Sequence, residues 1–233
     1  MLLAIDTATR SLGIALHSGS EVLAESVWTT ESRHTVELAP EVAIALRRTG
    51  AKFGELSAVA VALGPGSYNG LRIGLALAKG LALVHKLTLI GIPTLDILAY
   101  GQPAREEPMV CLLQAGRGRV AALWYKWGRR SWKANGAPKA MTWEQLGQTL
   151  KKPTYVCGEF GKEGREALRG SQFAQMAPPS LCIRRPSALA ELAWSQIRTG
   201  KLAEPATQNF FVQLCKLARN HRVAISENLF CVN

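Results

Sequence analysis

The spacing of apolar and polar positions divides the first hundred residues into short elements. "LLAIDTA" and "LGIALHSG" are apolar runs joined by a polar turn, and "EVLAESVW" alternates with period two after Gly19-Ser20. Short turns between such runs predict three antiparallel strands. "HTVELAPEVAIALRRTG" places Val36, Leu38, Val42, Ile44 and Leu46 on a helical face, with Gly50 as a C-cap and Pro40 as a kink or a first-turn residue. "LSAVAVALG" and "LTLIGI" read as strands buried on both faces, and a helix begins near Thr94. "GQPAREEP" (101–108) combines proline, glycine and charge and is the natural linker. Beyond it the pattern starts again. Strands "MVCLLQA" and "RVAALWYKW" precede a helix "TWEQLGQTL", a strand "TYVCG", and helices near 161–169 and 187–199. The second half echoes the first, so an internal duplication is suspected, and the expected architecture is α/β with two lobes, each built on a mixed sheet. The lobes are placed at 1–100 and 101–205, followed by a divergent tail, 206–233.

The stretch "VALGPGSYNGLRIGLALAKGLAL" (61–83) looks at first like a phosphate cradle. The spacing excludes the two best-defined templates. No Lys-Ser or Lys-Thr follows these glycines, and Gly64, Gly66 and Gly70 give GxGxxxG, one residue longer than a dinucleotide fingerprint. Gly70, Gly74, Ala78 and Ala82 instead recur every four residues and form one row of small side chains, flanked by Leu71 and Leu75. Glycine costs up to about 1 kcal/mol relative to alanine inside a helix, and close packing is a reason to tolerate it. The row fits packing on the chain's own sheet or on a partner's helix.

"AIDTATRSLGIAL" is a second candidate. Asp6 ends a buried strand, with Thr7 and Thr9 in the turn that follows. In nucleotide-binding folds of the actin and sugar-kinase type such a hairpin presents hydroxyls and N–H groups to phosphates and a carboxylate to a hydrated metal. Asp and Thr are also ordinary turn residues. His17, His34, His85 and His221 show no metal-ligand spacing, no nucleophile elbow is present, and no catalytic set or metal site is assigned. His34 is read as a helix N-terminal or surface residue.

Charge changes the picture of the second half. Residues 1–100 balance eight basic against eight acidic side chains, whereas residues 101–233 carry twenty against nine, the whole net charge of +11. In "GRGRVAALWYKWGRRSWK" (116–133), Arg117, Arg119, Arg129 and Arg130 are interleaved with tryptophans, which suits contact with nucleic acid through phosphates and stacking, or serves solubility. Five cysteines without a CxxC predict a reducing compartment. With no signal peptide or transmembrane run read in the sequence, the expected location is the cytoplasm, away from membranes.

The opening "LLAIDTAT", "RHT" before the first helix, "GPGSYNGLRIG" and "GIPTLDILA" together resemble the TsaB (YeaZ) family over residues 1–100. The resemblance implies an actin-like (ASKHA, ribonuclease H-like) fold, glycoprotease-like in ancestry but degenerate at the nucleotide site. It also implies a non-catalytic role in making N6-threonylcarbamoyladenosine in tRNA near the anticodon. The implied partners are a TsaD-type subunit and a TsaE-type ATPase, with a homodimer when alone and tRNA met through the complex. No resident cofactor is implied, beyond weak ATP or ADP binding at the complex interface. Asp6, Thr7 and Thr9 become vestiges of a nucleotide site. The helices 34–49 and 69–84 become the docking surface, through Val42, Leu46, Gly70, Leu71, Gly74, Leu75, Ala78 and Ala82. The alternative is an ATP-dependent phosphotransferase or a glycoprotease-like peptidase on the same fold. Asn69, Gln114 and Arg119 depart from the family pattern, as does the tail.

Overall fold

The computed structural model describes residues 1–31 and 33–200; the tail assigned to 206–233 lies outside the described residues. Strands β1 (Leu2–Asp6), β2 (Ser11–His17) and β3 (Val22–Thr29) form the expected antiparallel meander. Helix α1 (His34–Thr49), strand β4 (Ala58–Ala62), helix α2 (Tyr68–His85) and strand β5 (Thr88–Ile92) complete a sheet of order β3-β2-β1-β4-β5, with β1, β4 and β5 parallel. Helix α3 (Thr94–Tyr100) leads to β6 (Met109–Gly116), β7 (Arg119–Gly128), β8 (Ser131–Ala134) and β9 (Lys139–Thr142). Then follow α4 (Trp143–Thr149), β10 (Thr154–Gly158), α5 (Gly161–Arg169), β11 (Ala174–Met176) and α6 (Pro186–Thr199).

The second sheet runs β11-β10-β6-β7-β8, with β9 also on β7. Taken from the other edge, its order is that of the first sheet: an antiparallel meander flanked by two parallel strands. The echo between the two halves is therefore one of strand order. This is the expected α/β architecture of two lobes, each built on a mixed sheet.

Strand β1 is buried on both faces because it alternates between two cores. Leu3 and Ile5 meet Leu38, Val42 and Leu46 of α1, while Leu2 and Ala4 meet Ala188, Leu189 and Ala193 of α6. Helix α1 continues past Pro40, which sits on the exposed side, to an αL cap at Gly50. The placement of 186–199 with the second lobe needs correction. Helix α6 covers the first sheet, and its alanines let it lie close to β1 and β2. Conversely, Leu95, Leu98 and Ala99 of α3 pack under the second sheet with Met109 and Tyr125. Amphipathic periodicity tells that a helix has a buried face but not which sheet will bury it.

The return of α6 is fastened at its start by Glu25 of β3. Its carboxylate accepts from the Ser187 N–H (2.9 Å) and Oγ–H (2.6 Å) and from the Arg185 guanidinium. Burial raises the pKa of Glu25, but the Arg185 and Ser187 hydrogen bonds outweigh it and leave the group below the ordinary carboxylate range. A depressed folded-state pKa stabilises above the unfolded value and is lost as pH falls through the folded one. Glu25→Gln is thus expected to cost about 1 kcal/mol at neutral pH, as loss of a helix cap does. The difference from wild type should vanish as acid titrates Glu25, which urea unfolding at pH 7 and in mild acid will measure.

Candidate functional site

The two lobes meet over the turn between β1 and β2, where an internal cluster fills the bottom of the cleft. Arg184, from the segment preceding α6, is 3% exposed. Its Nε donates to Asp6 Oδ2 (2.8 Å), Nη1 to Glu159 Oε1 (2.6 Å), and Nη2 to Thr9 Oγ1 (2.8 Å) and the Ser11 carbonyl (3.2 Å). The Thr9 hydroxyl donates to Glu159 Oε1 (2.6 Å), and the Ala8 N–H donates to Asp6 Oδ1 (2.9 Å). Burial disfavours the Arg184 charge, yet Asp6 and Glu159 outweigh burial and raise its pKa. A single guanidinium, forked by geometry, thereby ties the first strand of one lobe to the end of β10 in the other. Glu159 follows Gly158, whose φ of 123° and close approach to the Leu112 carbonyl admit no side chain.

The glycines of the 61–83 stretch form the bed beneath this turn. A Cβ on Gly66 would lie 2.3 Å from the Ala8 carbonyl oxygen, one on Gly70 2.2 Å from that of Thr7, and one on Gly74 2.2 Å from Thr7 Oγ1. The Thr7 hydroxyl donates to the Gly70 carbonyl (2.8 Å), and the Ser67 N–H donates to the Ala8 carbonyl (2.6 Å). His34 closes the other side. It is the first residue of α1, as expected, but buried and not at the surface, with Nε2 3.0 Å from the Thr9 carbonyl and so donating to it. Ser67 caps α2 by accepting from the Gly70 N–H.

Most residues assigned to a docking surface therefore face inward. Gly70 and Gly74 hold the chain's own hairpin, Leu71 and Ala78 lie in the core, and Val42 and Leu46 pack under the first sheet. Leu75 and Ala82 are half-buried against that core. A row of small residues permits close approach, and the partner that approaches here is the turn Thr7–Thr9. The exposed side of α2 carries Asn69, Arg72, Ala76, Lys79, Leu83 and Val84 instead. A groove of about 530 Å³ runs beside it, lined by His34, Thr35, Ser67, Asn69, Gly70, Arg72, Ile73 and Ala76.

Asp6, Thr7 and Thr9 are together, as read, but they do not fit a nucleotide with its metal. Both carboxylate oxygens of Asp6 are taken, one by a backbone N–H and one by Arg184, and its side chain is 2% exposed. A cation at Asp6 would have to displace a guanidinium. Above the cluster remains an open cavity of about 580 Å³ that includes Thr9, Arg10, Ser67, Gln114 and Glu159.

The basic candidates are not one patch. Arg117 lies in the β6–β7 turn, Arg119 begins β7, and Arg129 and Arg130 form the β7–β8 turn at the far end of that ten-residue strand. At ~3.3 Å per residue the two ends are roughly 30 Å apart. Arg184 and Glu159 went unread as site residues; the only signal for Arg184 is a pair of arginines before a helix-starting proline.

The chain is 39% identical over 100 residues to the tRNA threonylcarbamoyladenosine biosynthesis protein TsaB of Escherichia coli (strain K12), a match covering 43% of each chain. It is 36% identical over 119 residues to the protein of the same name in Bacillus subtilis (strain 168), covering 51% of this chain and 52% of that one. The chain thus spans about half the length of the curated relatives it matches. The model of the family described as "TsaD: tRNA N6-adenosine threonylcarbamoyltransferase" matches residues 21–154, more than half the chain. The chain belongs to this family, on its TsaB (YeaZ) branch. A solved structure from Pseudomonas aeruginosa, described as similar to peptidase YEAZ, superposes with a TM-score of 0.70 at 21% identity, covering 88% of this chain and 96% of that one. That likeness, which spans most of both chains, is one of fold. Among the described residues no helix is long and apolar enough to cross a membrane.

Proposed function

We propose that the chain is a non-catalytic subunit in the formation of N6-threonylcarbamoyladenosine in tRNA, working in the cytoplasm beside a TsaD-type transferase subunit and a TsaE-type ATPase. The Asp6–Arg184 pair carries the reading. The carboxylate that an actin-like enzyme would turn toward a metal and phosphates is here committed to an internal cation. A cleft fastened in this way suits a protein that presents a surface, and the names of the two TsaB relatives supply the process.

The docking face that fits best is the exposed side of α1 and α2. Val36 is 64% exposed, Leu83 82% and Val84 73%, uncovered by any of the described residues. The groove beside Arg72 and Ala76 continues the same face. The same surface serves the homodimer when the transferase subunit is absent. Ala76→Arg places a long cation in this groove without touching the core. It is expected to reduce recovery of the TsaD-type subunit by about tenfold, a loss of ~1.4 kcal/mol, with thermal unfolding unchanged. Co-purification from the native host measures both the partner and the loss. Undiminished recovery would move the docking face elsewhere.

A further inference from the structure

The β7–β8 hairpin concentrates charge that neither the cores nor the cleft use. Residues 108–143 hold seven Lys or Arg and no Asp or Glu. Four of those cations, Lys126, Arg129, Arg130 and Lys133, fall on this one hairpin. The register sets Lys126 directly opposite Lys133, and both are exposed. Like charges in that relation oppose strand pairing. Arg129 and Arg130 occupy the turn with φ of 52° and 66°. Left-handed backbone at both central positions is the type I′ geometry that favours Asn-Gly, so two arginines are a poor local choice. None of the four has an ion-pair partner among the described residues. On the opposite face Trp127 is 39% exposed and meets Trp132 edge to face, with centroids 5.4 Å apart.

Two local costs, repeated on one hairpin, call for something outside the fold to offset them. Edge protection does not account for the pattern. Cations do blunt exposed sheet edges, and β8 is an edge strand, but Lys126 sits on the interior strand β7 and the arginines sit in the turn. Four cations with an accessible indole match the two needs of RNA, backbone phosphates and a surface for stacking. An acidic protein would use only the first. We propose that this hairpin is an RNA-contacting surface, in which Lys126, Arg129, Arg130 and Lys133 meet backbone phosphates and Trp127 stacks on an unpaired base. The proposal rests on the reading that the chain works on tRNA and supplies the contact. It also selects the far end of β7 over Arg117 and Arg119.

The test is fluorescence anisotropy of the full chain with a labelled, unmodified tRNA transcript across a salt series. Arg129→Asn with Arg130→Gly removes two charges and installs the pair that the turn prefers, so the hairpin stays folded. This double variant is expected to bind about tenfold more weakly, with a salt slope shallower by roughly 0.7–0.9 for each phosphate no longer neutralised. Lys126→Gln with Lys133→Gln should behave likewise, and Arg117→Asn should bind as wild type does. Wild-type affinity and slope in both double variants would overturn the proposal. So would displacement of the tRNA by polyglutamate at equal charge, which would make an acidic protein the occupant. Co-purification of the TsaD-type subunit, read on the same variants, separates this proposal from the subunit reading. RNA binding without that subunit removes the subunit reading and leaves the hairpin; unaltered RNA binding by the variants does the reverse.

Discussion

Arg184→Ala is expected to lower the stability of the protein by about 3–5 kcal/mol, the cost of breaking a buried pair by removing one partner. The argument is one of remaining charge. Asp6 stays in place with its side chain 2% exposed, and Glu159 loses a 2.6 Å hydrogen bond. Neither carboxylate gains a cation in exchange. At ~2–4 °C per kcal/mol for a chain of this size, the melting temperature should fall by roughly 10 °C. Arg184→Lys should recover little, because one ammonium cannot reproduce a fork that reaches Asp6, Glu159, Thr9 and the Ser11 carbonyl together. Arg184→Met combined with Asp6→Asn should recover more, since it removes the fully buried carboxylate together with its cation and leaves only the part-exposed Glu159 charged. The pair also joins the lobes, so amide exchange should rise in Arg184→Ala at the ends of β1 and β10. A loss under about 1 kcal/mol would mean that the cluster is ordinary surface electrostatics and not a clasp.

The clasp was not legible in the sequence, and the reason is distance along the chain. Asp6 and Arg184 are 178 residues apart. "DTAT" could be read because strand, carboxylate and hydroxyls are contiguous. Arg184 stands in a segment with neither helical nor strand periodicity, and what brings it back is the docking of α6 on the first sheet. Helix α6 itself was visible from its period, and so were the meander, the buried strands and the Ser67-capped α2. Each of those follows from local patterning. Which lobe buries a helix is a matter of tertiary competition between two similar sheets, and exchange of α3 and α6 between the lobes has no local signature. The basic residues show the converse limit. Their identities were plain, but one strand of ten residues separates Arg119 from the Arg129–Arg130 turn, and only the register shows which cations can act together.

Gly74→Leu is expected to unfold the first lobe or leave it only marginally stable. With the small-residue row taken as the docking surface that the family resemblance implies, this substitution would merely block a partner. The structure reverses that expectation. A Cβ at Gly74 would stand 2.2 Å from Thr7 Oγ1 and 3.2 Å from Thr7 Cγ2, and leucine adds three more carbons in the same direction. Thr7 cannot yield freely, because its hydroxyl donates to the Gly70 carbonyl and Asp6 beside it is held by Arg184. The turn must lift off α2, which would also strain the Ser67-to-Ala8 and His34-to-Thr9 hydrogen bonds. Overpacking of a closed core costs typically 1–3 kcal/mol, and here a buried ion pair is displaced as well, so a loss of about 4 kcal/mol or more is expected. Circular dichroism and thermal unfolding will read it before any partner is added. Gly74→Ala should show a smaller loss of the same sign, whereas Ala76→Arg on the open side of the helix should unfold as wild type does. A stable Gly74→Leu protein that failed only to bind its partner would return this face of α2 to the surface and contradict the packing on Thr7.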